Sequence, residues 1–185
     1  MSRPRKDSEG PSARDRLESA FWDMLSEMSF DDITIRAISS RANVSHNTFY
    51  AYFGSLDDMA ERLIDDAMDP ETAPEIVAAV SGSLLPLNQE TQQRFAHIRL
   101  YARSNSKLLE GLLRRRLQQA WLSVYGIDPS ALSREQSIDL AFIFAGITTL
   151  LGDDAFDIEL LDMARFLLRP LGQGAAVTLE ALREA

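Results

Sequence analysis

The chain has 185 residues, 45% of them hydrophobic, no cysteine and a formal net charge of −9. That length fits one domain or two small ones sharing a core, at the usual span of about 100–200 residues per domain. Without thiols there is no disulfide, no Cys-based metal site and no thiol catalysis. The apolar run AFIFAGITTLL is too short to cross a membrane and runs into a glycine and two aspartates. The opening MSRPRKDSEGPSARD lacks the apolar core of a signal peptide, and a cytoplasmic protein is expected.

Residues 1–11, with Arg3, Arg5 and Lys6 among serines, glycine and two prolines, read as a disordered basic arm. A first helix is expected over 12–28, with Leu17, Ala20, Phe21, Leu25 and Met28 at helical spacing. Thr34 is a good cap for a second helix, 35–42, whose Ile35, Ile38 and Ala42 share a face. Asn43 breaks the run, and asparagine tolerates the left-handed conformation of a tight turn. Ser45 caps a third helix, 46–53. Phe49 and Phe53 face inward there, leaving His46, Asn47, Thr48, Tyr50 and Tyr52 outside. Two short helices joined by such a turn form the pattern of a helix-turn-helix DNA reader, whose exposed donors, acceptors and small groups suit a major groove.

Gly54 is a break, and Ser55 caps a fourth helix ending near Met68, with Asp57 and Asp58 in the first turn where the helix dipole favours acid. Further helices are expected over 71–81, 89–104, 106–125 (ended by Gly126), 133–151, 157–168 and 175–183. The stretch 133–151 opens on a capping pattern, Ser133 to Gln136, and ends at Gly152. No stretch alternates like a half-buried strand, so the fold class is all-α.

The segment TIRAISSRANVSHNTFYAYF, within residues 12–68, resembles the N-terminal domain of TetR-type (TetR/AcrR) transcriptional regulators. The turn, the T-F-Y-x-Y-F run and the start of the next helix fall in order at that family's spacing. The resemblance implies a three-helix DNA-binding domain over 12–55 and a helical effector-binding and dimerisation domain over 56–185. It also implies DNA contacts from Thr34, Arg36, Ser45, His46, Asn47, Thr48, Tyr50, Ala51 and Tyr52. The two tyrosines match phosphate-contacting positions and the rest of the reader-helix set faces the groove. Asn47 suits an adenine edge, His46 a purine, and Ala51 a thymine methyl. Three positions depart from the family pattern. Asn43 stands for the usual glycine, Ala37 for an acidic residue, and Leu56 for a lysine that contacts phosphate.

The acid is unevenly placed. Residues 1–53 hold seven basic and eight acidic side chains, whereas 54–75 hold one basic and eight acidic. An acidic segment behind the reader can face away from DNA and discourage misplaced binding. It also predicts modest non-specific affinity with strong salt sensitivity.

In the remainder, an effector cavity would be mostly apolar with a few placed polar groups. Its candidate liners are Phe95, His97, Ile98, Tyr101, Leu112, Trp121 and Phe142, with Leu109, Leu113 and Phe144 beside them; each is equally an ordinary core residue. Arg99 and Arg103 are expected to be solvated, as is the run Arg114 to Arg116. The helices 133–151 and 157–168 are apolar nearly all round, which calls for burial on every side. A symmetric four-helix dimer interface follows, drawn from Phe142, Gly146, Leu150, Leu161, Ala164 and Leu168. His46 and His97 lie in different helices with no metal-ligand spacing, and no nucleophile–base pair or phosphate-binding glycine loop is present. No catalytic, metal or cofactor role is therefore assigned.

The best reading is a homodimeric repressor on a palindromic double-stranded operator, released by a small-molecule effector. The alternative is a DNA-binding adaptor that recruits a protein and binds no small ligand. A helical enzyme or interaction module with a vestigial reader stands third, and a gel shift separates it from both.

Overall fold

In the computed structural model the described residues are 10–69, 74–75 and 88–153. Seven α-helices are described: α1 (Ala13–Glu27), α2 (Ile35–Arg41), α3 (His46–Tyr52), α4 (Leu56–Ala67), α5 (Gln89–Arg103), α6 (Lys107–Val124) and α7 (Arg134–Gly152). Short 3-10 turns follow α1 (Phe30–Asp32) and α6 (Pro129–Ala131). No strand occurs among the described residues, and the fold is all-α. The helices expected over 157–168 and 175–183, most of 71–81 and nearly all of the arm lie outside the described residues. Leu161, Ala164 and Leu168 lie outside them too.

Local chemistry explains the boundaries. Ser12 and Asp15 form a reciprocal capping box at the start of α1, and Ser133 and Gln136 form another at α7. Thr34, Ser45 and Ser55 accept from the backbone N–H groups of Ala37, Thr48 and Asp58, so α2, α3 and α4 each start on a side-chain cap. The α6 terminus is a Schellman motif. Gly126 sits at φ 66, its N–H reaches Ser123 O, and Ile127 N reaches Leu122 O.

α1 packs on α2, α3 and α5; α4 packs on α5 and α6; and α5, α6 and α7 pack on one another. The buried side chains form one continuous cluster from Leu17 to Leu151, so the reader and the helices behind it share a core. Met28 is corrected by the structure. α1 ends at Glu27, Met28 is extended at φ −150, and it is 37% exposed while Met24 takes the inward position. Leaving the helix cancels the spacing that would have carried Met28 inward.

α4 is tied on three sides. The buried Tyr101 hydroxyl on α5 donates to Ala60 O at 2.7 Å. Burial, with Asp65 nearby, holds that phenol well above its usual range, so it remains a donor. Arg14 of α1 pairs with Asp66 at 3.1 Å, and Arg94 of α5 holds Asp69 and the Asp66 carbonyl. Arg116 of α6 pairs with Asp65 at 2.5 Å and Glu61 at 3.5 Å. The expectation that Arg116 belongs to a solvated run is thus overturned, because this face of α6 lies on acidic α4. Arg99 and Arg103 are likewise half-buried rather than solvated.

At the far end of α7, a Cβ on Gly152 would stand 2.3 Å from Ala102 O. The helix stop read at Gly152 is therefore also a close backbone approach. One residue pair beyond, Ser29 donates to Ser104 O at 3.3 Å, joining the α1–α2 connection to the α5–α6 corner.

Candidate nucleic-acid interface

The reader is built on its turn. Asn43 adopts φ 51. Its N–H reaches Ser40 O at 3.1 Å, and Val44 N reaches Ser39 O at 2.9 Å, which completes a Schellman motif on α2 with asparagine in the left-handed position. Arg16 of α1 braces the same turn: its Nε donates to Ala42 O at 3.1 Å and its second nitrogen to Pro11 O at 2.9 Å.

From there α3 is aimed by its apolar side. Phe49 and Phe53 are buried with ring centroids 5.7 Å apart. Tyr50 is 56% exposed and set edge-on to Phe49, and Tyr52 is 39% exposed. Ser45, His46, Asn47 and Ala51 are exposed, and Thr48 is half-buried. Thr34 and Arg36 are exposed at the start of α2. All nine sequence-derived DNA candidates thus lie on two neighbouring helices, with their inward neighbours Ile38, Phe49 and Phe53 in the core. The hydroxyls of Ser45 and Thr48 bond each other at 2.9 Å, so both groups serve the cap as well as any base.

The corner between α3 and α4 is fixed by Asp58. It accepts from Gly54 N at 2.8 Å and from Arg62 Nε at 3.0 Å. The Gly54 bond first and Arg62 second hold its carboxyl below the usual range. Arg62 also reaches Tyr52 O at 3.4 Å, which closes α4 onto the end of the reader. Leu56 is half-buried against the core, which gives it a packing role in the place where the family pattern has a cation.

The sequence-derived pocket residues divide. Phe95, Ile98, Tyr101, Leu112 and Trp121 are core, each at most 6% exposed, whereas Phe142 is 81% exposed on the outside of α7. Phe142 therefore belongs to an outer face in the protomer, not to an enclosed lining. His97 stacks on Trp22 of α1 at 3.9 Å and 5°. It lines a cleft of about 250 Å³ with Glu18, Asp66, Glu90 and Arg94. Burial, and then the charge of Arg94, hold the imidazole below its usual range.

A larger groove of about 620 Å³ runs between α4 and α6, lined by Asp65, Asp69, Met68, Pro74, Arg116, Ala120 and Val124 among others. Sequence reasoning missed it because its lining is a patchwork of charged and small residues with no periodic signature. Among the described residues there is no cluster of potential metal ligands and no helix long and apolar enough to span a membrane.

A family model described as "Bacterial regulatory proteins, tetR family" matches residues 19–63, from within α1 to within α4. No curated protein matches the chain. Among solved structures, the TetR family repressor AlkX from Dietzia sp. strain DQ12-45-1b, implicated in biodegradation of n-alkanes, is similar. The identity is 14% and the TM-score 0.47, over 93% of this chain and 97% of that one. TetR-type proteins regulate by binding DNA and are not enzymes. The matched stretch coincides with the helices that carry the exposed reader face, so residues 19–63 are similar to the DNA-binding part of TetR-type regulators.

Proposed function

We propose that the chain acts as a homodimeric repressor that reads a palindromic operator and leaves it when a small effector binds. The observation that carries this reading is the outer face of α7. Ile138 is 59% and Phe142 81% exposed, with Ala141, Gly146 and Thr149 beside them, while Leu140, Phe144, Ile147 and Leu151 are buried on the inner side. A helix apolar on both faces is covered on both, and a second copy covers it symmetrically. Leu150, Leu161, Ala164 and Leu168 extend the interface in this proposal. Two readers held about one helical turn apart (~34 Å) sum their contacts on a palindrome.

The effector site in this reading is the groove between α4 and α6, in place of the core residues Phe95, Ile98, Tyr101, Leu112 and Trp121. Three residues separate the end of the reader helix from the start of α4, so a ligand that shifts α4 against α6 shifts the reader. Release then requires a ligand with unequal affinity for the two arrangements.

Selection of bound fragments from a random DNA pool tests the reading. Wild type is expected to return two inverted half-sites. Asn47→Ala is expected to relax one position per half-site, costing about 1–3 kcal/mol against the preferred base. Tyr52→Phe is expected to weaken all sequences alike. A single, non-palindromic site bound by a monomer would refute the dimer and the repressor model together.

A further inference from the structure

The reader helix has little of its own to hold it in place. α3 is seven residues long, and a helix that short is marginal without outside contacts. Base readout nevertheless needs its side chains held to within about 0.5 Å and 10–20° of the productive geometry. Phe49 and Phe53 seat its apolar side in the core. Apolar contact is non-directional, so the tilt of the helix over that seat, and its travel along its own axis, call for directional bonds at its ends.

Two arginines from outside the reader supply such bonds, one at each end. Arg16 of α1 donates from Nε to Ala42 O at 3.1 Å and from Nη1 to Pro11 O at 2.9 Å. Arg62 of α4 donates from Nε to Asp58 Oδ1 at 3.0 Å and from Nη1 to Tyr52 O at 3.4 Å, while Asp58 also accepts from Gly54 N at 2.8 Å. Ala42 closes α2 one residue before the left-handed Asn43, and Tyr52 is the last residue of α3. Both carbonyls stand at a helix end, where no partner exists within the helix. Each guanidinium thus spans two acceptors, one belonging to the reader and one to the chain that carries the arginine. A planar fork does this in a fixed geometry, whereas a lysine ammonium is a single point on a flexible stem.

We propose that Arg16 and Arg62 are positioning residues for base recognition, which set the angle of α3 in the major groove through Ala42 O and Tyr52 O without touching DNA. This role rests on the DNA-binding reading and concerns discrimination between sequences, not attraction to phosphate.

Positioning is separated from phosphate contact by keeping the charge and removing the fork. Arg16→Lys and Arg62→Lys do this, and Arg16→Met and Arg62→Met keep only the stem. Each variant is titrated over a salt series, well below its melting midpoint, against the duplex that wild type selects and against a scrambled duplex of the same composition. All four are expected to lower the ratio of selected to scrambled affinity at least about fivefold, the worth of one well-placed base contact, with the wild-type salt slope on both duplexes. An arginine that instead met a phosphate would give a lysine variant like wild type. Its methionine variant would weaken both duplexes alike and flatten the slope by about 0.9. That pattern would overturn the proposal. A lowered melting temperature with the ratio intact would also overturn it, since a purely structural role gives that result. Failure of wild type to select any duplex would overturn the DNA reading itself, an outcome distinct from any difference between wild type and the variants.

Discussion

Asn43 shows how one residue decides the reader's shape. Its left-handed backbone closes the motif at the end of α2 and sets the direction of α3. A β-carbon without a polar tip costs about 1–2 kcal/mol there, so Asn43→Ala is expected to lower unfolding free energy by that amount in urea titrations. Asn43→Gly is expected to stay within about 0.5 kcal/mol of wild type, since glycine fits the angle but gives back entropy when unfolded. The residue's role was legible in the sequence because asparagine in a short interhelical gap has few other uses.

His97 was not legible in the same way: nothing in RFAHIRLYAR announces a partner 75 positions earlier. Its folded-state affinity for protons is depressed, chiefly by burial, so the unfolded chain binds the proton first. The stability that neutral His97 contributes is complete above about pH 6.5 and declines as pH falls below that value. Thermal melts from pH 7.5 to 5.5 are expected to fall more steeply for wild type than for His97→Gln. Parallel curves would remove His97 from the account.

At the scale of elements, the sequence revealed each helix that has a capping side chain at its start and a stop at its end. The acidic helix α4 was harder. Its charge reads as a solvated face because pairing partners on α1, α5 and α6 are invisible at helical spacing. The structure sets Arg14, Arg94 and Arg116 around it, and the acid becomes a docking surface for the helices behind the reader. Its first residue offers a test of the DNA reading. Leu56→Lys can lay its stem along the apolar surface that Leu56 now covers and put its ammonium at the rim. It is expected to steepen the salt dependence of DNA binding by about one unit. An unchanged slope in a variant that still folds would place this helix end away from the backbone.

At the scale of the whole molecule, a single core among the described residues joins the helix-turn-helix to the helices behind it. The outer face of α7 stands apart from that core. Phe142→Asp removes an exposed ring, and a β-carbon on Gly146 meets nothing within 4 Å, so Phe142→Asp and Gly146→Asp are both expected to leave the protomer folded. In a dimer each aspartate would be buried unpaired, which is strongly unfavourable. Light scattering is expected to report monomers, with operator binding lost in parallel. Dimers of undiminished affinity would move the interface elsewhere on the molecule. The face was legible as an apolar helix, but which side of it met the core depended on contacts with α5 and α6 that no local pattern encodes.

The chain contains two tryptophans, and their settings make them unequal reporters. Trp121 is buried beside Phe144 and Tyr125, whereas Trp22 lies flat against His97 where α1 meets α5. A protonated imidazole quenches indole emission at contact, and a neutral one does so far less. The steady-state fluorescence of the unlabelled protein therefore carries an optical signal from the seam between the DNA-reading helices and those behind them. Trp22→Phe supplies the blank, and a drop in emission as the pH falls through the titration of His97 reads that contact without a dye.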